Sequence, residues 1–256
     1  MHLSTRETLL ATALLDASDT LSDSFDAERY LQRLSDHCVE MLGARAAGVM
    51  LIDGGEAVSL AGSSRRQEIA LDLLAVQHLG GPCLDSYGTG RPVAPVSISV
   101  AHAAARWPDF TERALRHDIA ATFAVPLRRR ETRLGALNVF VPTLPEHASP
   151  PEDHWSVHLA QVLADAAAVG LHNHRLYAQY RTLAEQLEGA LSSRVRIEQA
   201  KGMLAERWNI GVDQAFRTLR QYARRQRLPL DEVATRVIDR SVDREEMGGG
   251  PGGQPS

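Results

Sequence analysis

From Trp155 to Leu228 the chain contains no proline, and this stretch constrains the fold more than any other. A proline inside a helix removes a hydrogen bond and clashes with the preceding turn, so a segment this long without one is free to run as a single helix. An apolar series spaced by seven passes through it: Val162, Val169, Leu176, Leu183, Ala190, Ile197 and Leu204. Four residues after each stand Ala166, Asn173, Tyr180, Leu187, Arg194 and Lys201, a mixed set. These are the d and a series of a coiled coil. A clean d series with an Asn at one a position favours a parallel dimer in one register. The spacing therefore predicts a homodimer through the 155–204 helix, with the part up to about Leu171 packed on its own sheet and the pairing beyond it.

The charge is unevenly spread. Between Arg194 and Arg240 there are 11 Lys and Arg against 6 Asp and Glu, leaving 17 against 26 in the rest of the chain. A basic module on an acidic body points to an anionic partner for the module alone; the net charge of −4 rules out a general polycation. With 256 residues the chain is long enough for one large or two ordinary domains. No run approaches the roughly 20 apolar residues of a membrane span. Asp16, Asp19 and Asp23 interrupt the N-terminal segment, which does not read as a signal peptide. Two cysteines, Cys38 and Cys83, make no disulfide framework and read as reduced thiols in a cytoplasmic protein.

Ahead of the proline-free stretch the periodicity alternates. Thr5 to about Leu21 is helical, through Leu9, Leu10, Ala13, Leu14 and Ala17. A second helix, capped by Ser24 or Asp26, buries Tyr30, Leu31, Leu34, Cys38, Met41 and Leu42 and ends at Gly43. Ala46–Ile52 and Ala57–Ala61 read as strands about the turn Asp53-Gly54-Gly55. Arg65–Leu79 is helical, Gly80–Pro92 a loop by composition, Val93–Ser99 a strand and Trp107–His117 an amphipathic helix. Ala120–Leu127 and Leu134–Val141 are strands joined by Arg128–Arg133. Leu144–Asp153 is a loop rich in Pro, His and Glu. This order predicts an α+β layer with one mostly antiparallel sheet.

Three places in it resemble the GAF domain. They are Gly81-Pro82-Cys83 through Gly90-Arg91-Pro92-Val93; Trp107-Pro108-Asp109-Phe110; and Phe123-Ala124-Val125-Pro126-Leu127 followed by Leu134-Gly135-Ala136-Leu137-Asn138-Val139. His117-Asp118-Ile119 departs from the small polar turn many members have there. The resemblance implies a small-ligand sensor or dimerisation module over 26–171. Its pocket would lie between the sheet and segments Arg65–Arg91 and His102–His117, with His78, Cys83, Tyr87, Trp107 and Phe123 as candidate lining. No cyclic-nucleotide or haem motif accompanies it.

The basic module divides into helices Val195–Trp208, Val212–Arg227 and Leu230–Arg240, broken by Asn209-Ile210-Gly211 and Leu228-Pro229. At about 100° per residue, Arg217, Arg220, Arg224 and Arg227 share one sector of the middle helix. Val212, Ala215, Phe216, Leu219, Tyr222 and Ala223 fall in another, the expected core face. Planar guanidinium forks suit phosphate and base edges. Arg194 and Lys201 on the first helix extend the basic set, and Ala200 and Gly202 read as small residues for close helix approach. Trp208 reads as core; Tyr222 is either core or a stacking residue. The order Ile197-x-x-Ala200-Lys201-Gly202-x-Leu204, then Ala215-Phe216-x-x-Leu219-Arg220-x-x-Ala223, then Leu230-x-x-x-Ala234 resembles the ANTAR domain. That family is a three-helix RNA-binding module of transcription antiterminators. The resemblance implies binding of paired stem-loops in a leader transcript, with Arg194, Lys201, Arg217, Arg220, Arg224 and Arg227 as candidate RNA contacts.

The catalytic signatures fail. His154 and His158 lack the Glu of a zinc protease motif, no cysteine pair stands at ligand spacing, and there is no Gly-x-Ser-x-Gly elbow or Walker loop. The expectation is a non-enzymatic regulator without cofactor or metal. It comprises an N-terminal helix (1–25), the sensor (26–171), a connecting helix (172–191), the RNA-binding module (192–244) and a disordered tail (245–256). Two other readings stay open: a duplex-DNA regulator placing the middle helix in a major groove, and a protein–protein adaptor.

Overall fold

A computed structural model describes residues 3–143, 155–243 and 246–247. The expected 144–153 loop and His154 lie outside the described residues. The chain divides into two compact units, Met1–Tyr177 and Ala178–Ser256. Helix α7, Trp155–Trp208, begins in the first and ends in the second.

The first unit is α+β. Two helices, α1 (Leu3–Ser18) and α2 (Ala27–Leu42), precede strands β1 (Ala46–Asp53) and β2 (Glu56–Gly62). Then come α3 (Gln67–Ala75), α4 (Pro82–Thr89), β3 (Val93–Ser97), α5 (Ile98–Ala103), α6 (Pro108–Arg116), β4 (Ala121–Arg129) and β5 (Thr132–Val141). The five strands form one sheet in the order β2-β1-β5-β4-β3. Every pairing is antiparallel, with Val49 opposite Leu137 and Phe123 opposite Val139.

The central strands are buried on both faces, so they read as continuous apolar runs rather than alternating ones. Val49, Leu51, Phe123, Val125, Leu127, Leu137 and Val139 face one core with Leu31, Leu34 and Cys38 of α2 and Leu163, Ala167 and Leu171 of α7. Their neighbours point the other way. Ala46, Ala124 and Phe140 pack with Leu73, Ile98, Trp107, Phe110 and Ala114, while Met50, Ile52 and Ala136 pack with Leu74 and Cys83.

Local chemistry sets the boundaries. Asp26 rather than Ser24 caps α2, accepting from the amides of Glu28 and Arg29 at 2.9 and 3.2 Å, a cap whose loss costs about 0.5–2 kcal/mol. The Tyr30 hydroxyl donates to the Ala17 carbonyl at 2.9 Å and lies 3.3 Å from that of Ala167, joining α1, α2 and α7. Gly170 permits that approach: a Cβ there would collide with the same hydroxyl and the Ala17 carbonyl.

Several expectations are corrected. Pro82–Thr89, read as loop, is helix α4, with Pro82 in its first turn and Gly90 in the left-handed conformation at its end. Packing of Cys83 and Ser86 overrides the glycine-rich composition. The strand over Val93–Ser99 stops at Ser97, and α5 follows. The Arg65–Leu79 helix is three pieces, 3₁₀ turns at Ser64–Arg66 and Val76–Leu79 flanking α3. Strands β4 and β5 run on into Arg128–Arg133 and reverse at Arg130, whose φ is 53°.

The second unit is a three-helix module. The end of α7 packs with α8 (Val212–Gln226) and α9 (Leu230–Ile238) around Ala200, Leu204, Ala215, Leu219, Tyr222, Ala223, Val233, Ala234 and Val237. Each break has a left-handed residue, Asn209 (φ 53°) and Arg227 (φ 57°). The amides of Ile210 and Leu228 return to the carbonyls of Ala205 and Ala223 at 3.0 and 2.9 Å, a common way to close a helix. Pro229 then prevents continuation. Val242 and Met247 close the core. Met247 is packed there, and residues 244–245 and 248–256 lie outside the described residues.

Candidate nucleic-acid interface

Helix α8 carries two faces that its sequence separates. Ala215, Leu219, Tyr222 and Ala223 are buried in the module core, while Arg217, Arg220, Arg224 and Arg227 are exposed. None of the four makes an ion pair among the described residues. Arg220 does approach an aromatic ring: its guanidinium lies 5.6 Å from the centre of Phe216. Exposed guanidiniums without acidic partners keep their donors for a ligand, which is the arrangement that neutralises phosphates.

Arg220, Arg224 and Arg227 line one shallow groove of about 310 Å³ with Ala223, Leu228 and Leu230. Half of its lining is guanidinium-bearing and half apolar. Arg227 reaches it differently from the helical expectation: α8 ends at Gln226, and Arg227 is the left-handed residue after it. Arg217 is exposed on the same helix but does not line the groove, and Arg194 is exposed on α7.

Lys201 is placed differently from the other candidates. Its side chain is only 15% exposed, and its ammonium meets both carboxylate oxygens of Glu198, at 3.0 and 2.8 Å. It also lies 5.1 Å from the centre of the Phe216 ring. Phe216, assigned to the core by periodicity, is partly exposed. The available sequence signal was its place at the edge of the apolar sector, about 40° from Arg220 around the helix. Tyr222 resolves as core, 5% exposed with Arg225 over its ring, and Trp208 packs partly buried on the same core. Ala200 is fully buried, as close helix approach requires, but a Cβ on Gly202 would meet nothing within 4 Å. Close packing within the module does not explain that glycine.

On α7 the heptad series splits. Val162, Val169, Leu176 and Leu183 are 42, 43, 36 and 50% exposed. The a-series residues Tyr180 and Leu187 are 69 and 62% exposed. Leu204, read as the last d position, is instead 1% exposed, and Ile197 packs against the same core. The module's own α8 and α9 cover Leu204, while Ile197 is partly buried against the same core.

The five candidate pocket residues do not converge. His78 is exposed, its ring nitrogen 3.1 Å from the Ala75 carbonyl. Cys83 and Tyr87 belong to the cluster under β1, and Trp107 to the neighbouring one. Phe123 lies on the opposite face of the sheet, because strand alternation points it toward α2 and α7. Cys83 is fully buried and burial pushes its thiol up. Its amide is held by Gln77 Oε1 at 2.8 Å. Trp107 Nε1 donates to Asp85 at 3.2 Å, and the Arg106 guanidinium lies over the indole. At the segment that departs from the GAF pattern, His117 meets Asp72 at 2.7 Å. No group of three or more metal-ligating side chains occurs among the described residues, and none of their helices is long and apolar enough to cross a membrane.

A family model for the GAF domain matches residues 26–172, and one for the ANTAR domain matches residues 185–238. No curated protein matches the chain. Among solved structures, free methionine-R-sulfoxide reductase from Neisseria meningitidis is 17% identical, with 68% of this chain and 92% of that one covered and a TM-score of 0.48. The GAF domain of cyanobacteriochrome TePixJ is 16% identical, covers 61% and 95%, and scores 0.44. The nlh2 GAF domain of A. aeolicus in an inactive state is 12% identical, covers 65% and 98%, and scores 0.45.

Proposed function

The chain belongs to the GAF domain family, matched over 26–172 of its 256 residues and followed by an ANTAR domain, and from that premise we propose that this signal-responsive regulator binds RNA stem-loops through its arginine-bearing helix. The observation that carries the reading is on α8. Arg217, Arg220, Arg224 and Arg227 are exposed and free of acidic partners among the described residues, while Ala215, Leu219, Tyr222 and Ala223 of the same helix are packed in the core. Phosphate contacts supply affinity that falls with salt, and unpaired loop bases supply specificity, because A-form grooves are hard for side chains to read. Binding to a nascent leader transcript would then hold back a competing terminator, the antitermination that the ANTAR resemblance implies.

The protein acts in the cytoplasm as a homodimer. What supports the dimer is the exposed apolar stripe of α7 from Val162 to Leu187. In this reading 26–171 is the sensor, 172–191 the connecting helix and 192–244 the RNA-binding module. A signal in the sensor changes the pairing of the two α7 segments.

The test is direct. Arg217→Ala, Arg220→Ala and Arg224→Ala together should abolish binding of an RNA hairpin by the full chain while its circular dichroism is unchanged. Each phosphate no longer neutralised lowers the slope of log affinity against log salt by about 0.7–0.9. Retained affinity and an unchanged slope would remove α8 as the contact surface.

A further inference from the structure

Three aromatic side chains lie between residues 185 and 238. Tyr222 is in the core and Trp208 packs against it. Phe216 is partly exposed and stands apart from that cluster, although its neighbours Ala215 and Leu219 are wholly buried in it. Phe216 is thus a partly exposed ring on the helix that carries the arginines.

The Lys201 ammonium lies 5.1 Å from the centre of that ring and the Arg220 guanidinium 5.6 Å. The two cations differ in role. Lys201 is 15% exposed and paired with both oxygens of Glu198, so it lies over the ring from α7 with its charge largely answered. Arg220 has no acidic partner among the described residues and continues into the groove shared with Arg224 and Arg227. The result is a partly exposed ring with a cation over it from each of two helices, at one end of a row of guanidiniums without acidic partners among the described residues.

We propose that Phe216, flanked by Lys201 and Arg220, is the platform on which one unpaired RNA base stacks. The proposal rests on the reading that this module binds RNA, and it assigns the preference for loop over stem to this ring. Every base has a π face, so the platform requires an unpaired base without requiring a particular one. A base within a continuous stem already stacks on its neighbours and cannot offer that face. The phosphate beside the stacked base then falls toward Arg220.

The experiment uses the full chain, an RNA hairpin with an unpaired loop, and a fully paired RNA of equal charge, titrated by fluorescence anisotropy. Phe216→Leu keeps an apolar side chain without the π face; Phe216→Tyr keeps the face. Leucine should weaken hairpin binding by about 5- to 150-fold, the range that stacking of one base carries. Paired-RNA binding and the salt slope should stay as in the wild type, since every phosphate-facing cation is kept, and tyrosine should restore the hairpin preference. Leucine binding the hairpin as tightly as wild type would overturn the platform. So would leucine weakening hairpin and paired RNA equally, or tyrosine failing to rescue. If Phe216→Leu is silent while the triple arginine variant loses the hairpin, the platform alone falls. If the wild-type chain binds neither RNA, the RNA-binding reading falls with it.

Discussion

Truncating Leu183 and Leu187 to alanine tests the proposed dimer, and the structure sets the size of the effect. In the single chain these residues are 50 and 62% exposed, and every residue from Ala178 to Ser192 is exposed. A helical stretch of this length with no partner is marginal in water. Complete burial of a leucine side chain is worth about 1.5–3 kcal/mol. With half or more of each still to be covered, a seam would add about 1–1.5 kcal/mol per side chain. Two residues on each of two helices give about 4–6 kcal/mol, or roughly a 10³- to 10⁴-fold weaker dimer when they are removed. Alanine is the best helix former, so the loss cannot be assigned to unwinding. Sedimentation equilibrium of the full chain over a concentration series reads the dissociation constant directly. A value within about threefold of the wild type, under 1 kcal/mol, would refute the seam through these positions.

Three further outcomes are expected. Gly202→Ala should raise the thermal midpoint of the second unit, because the added methyl meets nothing within 4 Å and alanine gains about 1 kcal/mol over glycine inside a helix; a lowered midpoint in differential scanning calorimetry would contradict this. Gly135→Ala should destabilise the first unit by about 3 kcal/mol or more, since its Cβ would run into the Met50 carbonyl of the adjacent strand; near-native stability in urea would show that β1 and β5 can part there. Cys38 and Cys83 should not react with a thiol reagent at pH 8 in the folded chain. Burial raises Cys38 to about 12, so only about one part in 10⁴ is thiolate at that pH, and burial raises Cys83 likewise. Both should react once the chain is unfolded in denaturant, and rapid labelling of the native protein would show that one of them reaches solvent.

Much of the fold was legible because its signals are local. The strands were marked by apolar runs that need no partner to be recognised, and the ends of α2 by Asp26 and Gly43. What composition hid was α4. Glycines at 81, 88 and 90 signal a loop, yet Cys83 and Ser86 gain enough from packing to hold a helix there. The heptad spacing was real, but a period does not say what covers each residue, and Leu204 is covered by its own module. Phe216 was misplaced for a related reason: periodicity put it at the edge of the apolar sector, and only three-dimensional contacts show Lys201 and Arg220 around its ring. The pocket lining rests on the GAF resemblance alone, and the two faces of the sheet separate Phe123 from Cys83.

Competition binding separates RNA recognition by α8 from DNA recognition. The 256-residue chain, held on a labelled RNA hairpin, is challenged with unlabelled hairpin and with duplex DNA of the same sequence at matched salt. Recognition of RNA by α8 predicts displacement by the RNA hairpin at concentrations where the DNA displaces little, and loss of the complex in the Arg217→Ala, Arg220→Ala, Arg224→Ala variant. Equal or stronger displacement by duplex DNA would contradict it and turn α8 into a groove-reading helix.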